Sequence, residues 1–238
     1  MSNLASRLGL SVVFALAALV MVFQPGAPDT PVAFAAARSS SATGNWNATA
    51  TWGGLSAPVA GDTVTINNGH TVTVTANAAA ATITISPGGT LIVNGFALTV
   101  TGATSVSGSL TFAATAGAKS FGDFTINSGG AVTSTASPVT ITGNFDNAGG
   151  SFTSGTGVWT MSGAAKTIGG SPTFGSLAIT GTVTTNSDVT VTTALSGAGT
   201  LTNGATRTLT LTGTSAITGL TATAVPNTVV YQDRRACP

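Results

Sequence analysis

The side chains able to do chemistry are few and widely spaced. Outside the first 37 residues the carboxylates are Asp62, Asp123, Asp146, Asp188 and Asp233, and glutamate is absent. Hydrolysis by paired carboxylates needs two acids facing one bond. No two of these lie close in sequence. Asp123 and Asp146 are the pair that a stacked fold would bring nearest. Serines abound, yet His70, the single histidine, follows Gly69 at a turn and has no orienting acid in view. The single cysteine, Cys237, permits neither an intrachain disulfide nor a thiolate metal site. There is no His-Glu-x-x-His, no phosphate-binding glycine loop and no Gly-Gly-x-Gly-x-Asp calcium repeat. The expectation is therefore a non-enzymatic chain with no catalytic, cofactor-binding or metal residues. Trp46 and Trp52 are the one ligand-facing candidate, as rings on which a sugar could stack. Their competing role is to cap the end of a core.

Composition narrows the class further. Charged residues make up 5% of the chain, against roughly 25% in an average soluble protein. Net charge is +1, so no field draws the chain to nucleic acid or anionic lipid. Disordered chains are usually rich in charge and poor in β-branched residues. This chain is full of Val, Ile and Thr, which suit a pleated, half-buried surface.

The elements that must position these residues are short strands. Apolar residues alternate with Thr or Ser in Thr63–Ile66, Thr71–Thr75, Thr82–Ile85, Leu98–Val100, Val139–Ile141, Val189–Val191 and Leu209–Leu211. Period-two alternation marks a strand with one buried face. Turn formers separate the runs: Asn67-Asn68-Gly69, Pro87-Gly88-Gly89, Asn94-Gly95, Ser128-Gly129-Gly130, Gly149-Gly150 and Asn203-Gly204. No segment after residue 37 carries a 3.6-residue apolar stripe, so almost no helix is expected.

The runs also repeat at longer range. Phe121-Gly122-Asp123-Phe124-Thr125-Ile126 matches Phe174-Gly175-Ser176-Leu177-Ala178-Ile179, and Val139-Thr140-Ile141-Thr142 matches Val189-Thr190-Val191-Thr192. In the second copy Ser176 and Ser196 replace Asp123 and Asp146. This predicts a unit of about 50 residues, or about two coils. A weaker copy aligns Leu98-Thr99-Val100 with Val139-Thr140-Ile141 at a shift of 41. Such units share one continuous core by stacking. The expected fold is all-β, a right-handed parallel β-helix or β-solenoid with an N-terminal cap; the alternative is an antiparallel β-sandwich.

Residues 1–37 read as a secretory signal peptide. Arg7 supplies the positive start, Leu8–Phe23 an apolar run of 16 residues, and Pro25 and Pro28 break it. Ala33-Phe34-Ala35 fits the small-x-small cleavage pattern, with the cut expected after Ala35 or Ala37. The run falls short of the roughly 20 residues that span a bilayer, so no membrane span is expected after cleavage. The domain reading is then 1–37 signal, 38–60 Trp-containing cap, 61–225 solenoid repeats, and 226–238 the start of a further repeat followed by an irregular tail. That tail, with three charges and Cys237, suggests truncation of a longer repeat protein. An uncapped stack would be prone to associate end to end.

The block Asn45-Trp46, Thr51-Trp52-Gly53-Gly54, Pro58, Gly61-Asp62-Thr63-Val64-Thr65-Ile66 and Gly69-His70-Thr71-Val72-Thr73-Val74 resembles the opening of G8-type domains. It is also similar to bacterial extracellular β-strand repeat proteins of adhesin-like type. The resemblance spans residues 44–231. It implies a β-helix-like fold, export to the cell surface or medium, and a structural or adhesive role. It carries over no catalytic residues. Expected partners are cell-surface glycans, matrix or further copies of the chain. Two alternative functions remain: a carbohydrate-binding β-helix module using Trp46 and Trp52, and an ice-binding protein built on Thr ladders.

Overall fold

Alternation fixes which side of each strand is buried, and the turns fix where the chain bends. In the computed structural model, which describes residues 35–113 and 116–232, these rules produce a solenoid of parallel strands with about eight turns. That is the arrangement expected of a right-handed β-helix. The segment expected to be a signal, up to residue 34, and Asp233 and Cys237 lie outside the described residues.

Each coil has three faces. Thr63–Ile66 lies on the first face, Thr71–Val74 on the second and Ala78–Ala80 on the third; Thr82–Ile85 then returns to the first. Thr63–Ile66 pairs in parallel with Thr82–Ile85, so that Val64 stands against Ile83, 19 residues on. Thr71–Val74 pairs with Thr90–Val93, and Ala78–Ala80 with Leu98–Val100. Every strand pairing among the described residues is parallel, and the one antiparallel contact is the isolated bridge between Asn127 and Gly149. A β-sandwich of hairpins is thereby excluded. The only helix among the described residues is a single 3-10 turn, Thr49–Trp52, and no helix there is long and apolar enough to cross a membrane.

The first coil begins earlier than the sequence suggests. Ala37–Ser39 already pairs with Thr63–Ile66, and Gly44–Asn45 with Thr71–Val74. The Trp-containing block is therefore a coil of the stack, and the boundary after residue 37 falls inside its first strand.

The coil length is about 20 residues, and this reinterprets the long-range repeats. Leu98 stands against Lys119 and Lys119 against Val139, so the 41-residue shift is two coils. The longer shift is not a whole number of coils. Phe121 pairs with Ile141 on the third face, whereas Phe174 pairs with Val191 and lies on the second. The 50-residue unit is not the structural unit. Its matches arise because all three faces share one inward–outward alternation.

The core is a column of side chains along the axis. Val64, Ile66, Val72, Val74, Ile83, Ile85 and Leu91 are fully buried in the early coils. In the middle coils Trp159 is ringed by Phe112, Phe124, Phe145, Phe152 and Phe174, with centroids 4.9–6.2 Å away. Its indole N–H donates to the Ser154 carbonyl at 2.9 Å. One corner is built from glycines: Gly102, Gly122, Gly143, Gly163 and Gly181 recur once per coil. A Cβ on Gly122 would sit 2.5 Å from the Gly102 carbonyl oxygen. The absence of side chains is what lets consecutive coils close to sheet spacing at this corner.

Candidate functional site

The N-terminal block is held by polar ties to the coil above it. Trp46 and Trp52 are 3% and 1% exposed. Their rings meet edge to face at 5.5 Å. The Trp52 N–H donates to the Trp46 carbonyl at 2.7 Å, and the Trp46 N–H to the Pro58 carbonyl at 3.4 Å. Stacking a sugar needs an open ring face, and neither ring has one. Of the two roles weighed for Trp46 and Trp52, burial fits the one in which they fill the end of the core and leaves no ring face for a sugar. The reason is that Thr49–Trp52 turns inward, which sequence alternation alone does not reveal.

Asp62 ties its own turn to the strand that opens the stack. Its carboxylate accepts from the Val59 N–H at 3.1 Å and the Ala36 N–H at 2.8 Å. The Arg38 guanidinium lies 3.4 Å away, and Arg38 also donates to Ser56. Burial pushes the Asp62 carboxyl up, but the two N–H donors and Arg38 outweigh it and hold the group below the ordinary carboxylate value. Arg38 was not singled out as a partner by sequence, because 24 residues separate it from Asp62.

His70 is likewise structural. Its Nδ1 is 2.9 Å from the Ser40 hydroxyl and 3.1 Å from the Ser40 carbonyl. Ser40 is buried, and its hydroxyl also accepts from the Asn67 N–H. A serine–histidine pair is present, but its hydroxyl is enclosed and, among the described residues, the ring nitrogen Nδ1 meets Ser40 and no carboxylate. The arrangement ties the first coil to the second.

One surface notch does gather carboxylates. On the outer side of the first face, Asp123, Thr125, Asn144, Asp146, Thr167, Gly169 and Asn186 line an open cavity of about 400 Å³. Successive coils place Thr125 against Asp146 and Asp146 against Gly169. Gly169 is what opens the notch, since a Cβ there would approach the Asp146 carboxylate to 2.8 Å. The Asn144 N–H donates to Asp123 at 2.7 Å, and the Asn144 side-chain oxygen accepts from the Thr167 N–H at 3.0 Å. Asp123 and Asp146 thus share a notch on adjacent coils, offset diagonally, with Asn144 next to Asp123. Sequence reading singled out the two acids but not Asn144, Thr167 or Asn186. Their once-per-coil spacing was the available signal. Such a polar lining can hydrogen-bond a hydroxylated ligand. Among the described residues no group of three or more His, Cys, Asp or Glu side chains could hold a metal ion.

A second groove of about 380 Å³ lies beside the N-terminal block, lined by Trp46, Pro58, Val59, Ala79, Ala97 and Thr99. It is largely apolar. No curated protein and no solved structure matches the chain. The G8 domain family does, over residues 51–193, from the inward turn at Trp52 to the coil that carries Val191. With more than half of the chain matched and the parallel coils in place, the chain belongs to the G8 domain family.

Proposed function

We propose that this is an exported, non-enzymatic structural and adhesive module of the kind found in bacterial surface repeat proteins. The observation that carries the reading is the outward surface. It carries columns of hydroxyls on parallel sheets, such as Thr99–Ser120–Thr140–Thr160 on the third face. A wide, weakly charged array of hydroxyls suits many shallow hydrogen bonds to glycan or matrix rather than one deep substrate site. Only Asp123 and Asp146 share a notch among the described residues; the scatter of the other carboxylates supports the non-enzymatic part, and the Leu8–Phe23 run supports export. Beads coated with the exported chain should retain cells or matrix over uncoated beads; equal retention would overturn the adhesive reading.

Carbohydrate binding is a second reading, favoured by the notch around Asn144 and Asp146 rather than by the tryptophans. Glycan-array binding lost in Asn144→Ala and Asp146→Ala would support it, and a blank array would remove it. Ice binding has less support. The paired columns on the second face are broken by Ile92 and Ala131, and a regular hydroxyl lattice is what that activity requires.

A further inference from the structure

The sequence offers two small-x-small cuts, after Ala35 and after Ala37. The structure treats the two peptide bonds very differently. Among the described residues the hydrogen-bonded ladder begins at Ala36. Its N–H donates to Asp62 at 2.8 Å, and its carbonyl accepts from the Thr63 N–H at 2.9 Å. Ala35 is exposed. Ala37 is the first residue of the strand that opens the stack, paired with Thr63. A cut after Ala37 would remove both bonds of Ala36 and the start of that strand. A cut after Ala35 removes neither.

We propose that processing cuts the chain between Ala35 and Ala36, and that the α-ammonium created on Ala36 docks on the buried carboxylate of Asp62. The inference rests on the export reading above and adds the site and its consequence. The reaction is peptide hydrolysis by a peptidase that reads small-x-small sequences. Water adds its hydroxyl to the Ala35 carbonyl carbon and the C–N bond breaks. The Ala36 nitrogen takes a proton from that water and, at neutral pH, a further one from solvent. The nitrogen already lies at the separation typical of a charge-assisted bond, about 2.7–2.9 Å. Asp62 is 1% exposed, so the new charge meets a carboxylate shielded from water. The charged groups facing the nitrogen are Asp62 and Arg38. Arg38 approaches Oδ2 and the Ala36 nitrogen Oδ1, so each oxygen takes one cation. Processing would then complete the first coil as well as release the chain, because the uncut chain gives Oδ1 of Asp62 only the neutral amide of Ala36.

The test begins with the full precursor expressed in an exporting host, and intact mass with N-terminal sequencing of the exported product. A chain beginning at Ala36 is expected. One beginning at Arg38 would overturn the inference while leaving export standing; a chain retained in the cell and beginning at Met1 would overturn export and the inference with it. The second arm compares thermal unfolding of the processed chain with that of the same chain acetylated on its α-amino group. The processed chain should unfold about 3–10 °C higher at pH 7. The difference should begin to shrink above about pH 8, the value of a free α-amino group, and be lost as pH passes the higher value that docking on Asp62 gives the folded chain, and it should be absent in Asp62→Asn. Equal midpoints for the free and acetylated chains at pH 7 would overturn the docking.

Discussion

The indole N–H of Trp52 points at the carbonyl of Trp46, 2.7 Å away, and the two rings meet edge to face. The contact closes the first coil from within. Trp52→Ala removes the ring, the hydrogen bond and the packing partner of Trp46 together. It should cost about 3–5 kcal/mol, measured by denaturant unfolding. Trp52→Phe keeps most of the apolar volume and should cost less. Neither change should alter the glycan binding proposed for the notch around Asn144, as a glycan array would show.

Asp62 makes stability depend on acid. Its folded-state affinity for protons is below the ordinary value because the Ala36 and Val59 N–H groups and Arg38 favour the charged form. A depressed carboxyl contributes stability that is complete above the ordinary value, about pH 4, and lost as pH falls through the folded value. Unfolding followed from pH 7 to pH 2 should therefore show a limb of falling stability below about pH 4 that is flattened in Asp62→Asn. At pH 7, Asp62→Ala should cost about 3 kcal/mol, because it leaves Arg38 and two N–H groups without their acceptor.

Lys119 is a lysine in an inward column, 1% exposed and paired with Leu98 on one side and Val139 on the other. Its ammonium donates to the Ala116 carbonyl. Burial lowers its proton affinity, so the folded state holds the charge at a cost that unfolding relieves. Lys119→Met should raise stability at pH 7 by about 1 kcal/mol. The gain should shrink as pH rises toward about 10, since the wild type regains stability as Lys119 deprotonates. Thermal unfolding of both proteins across that range checks the sign.

The glycine corner separates two kinds of glycine. In Gly122→Ala the new Cβ would meet the Gly102 and Thr101 carbonyl oxygens at 2.5 and 2.6 Å. Both are backbone atoms of the neighbouring coil and cannot swing away. The expected loss is about 3 kcal/mol. Gly54→Ala meets nothing within 4 Å and is strained only through its φ of 86°, an expected loss of about 1 kcal/mol. Equal losses in the two variants, measured by denaturant unfolding, would show that the carbonyl contacts at Gly122 do not govern the corner.

Much of the fold is legible in the chain itself. Alternation in runs such as Thr63–Ile66 and Thr82–Ile85 settles which residues are buried, because a strand's side chains point to opposite faces by geometry alone. The turn glycines settle where the chain bends: Gly69, Gly88 and Gly129 all adopt positive φ. Together with the low charge, these determine an all-β stack with a hydroxyl surface. The sequence could not determine the coil length, because all three faces repeat one alternation and a match between Phe121 and Phe174 looks the same whether or not they share a face. Nor could it determine which distant groups meet. Only the closing of coils brings Asp62 to Ala36 and Arg38, seats Ser40 on His70, turns Trp46 and Trp52 inward, and opens the notch over Asp146 by placing Gly169 in the next coil. Those contacts depend on the register between coils, and register is set by packing around the whole axis rather than by any local run of residues.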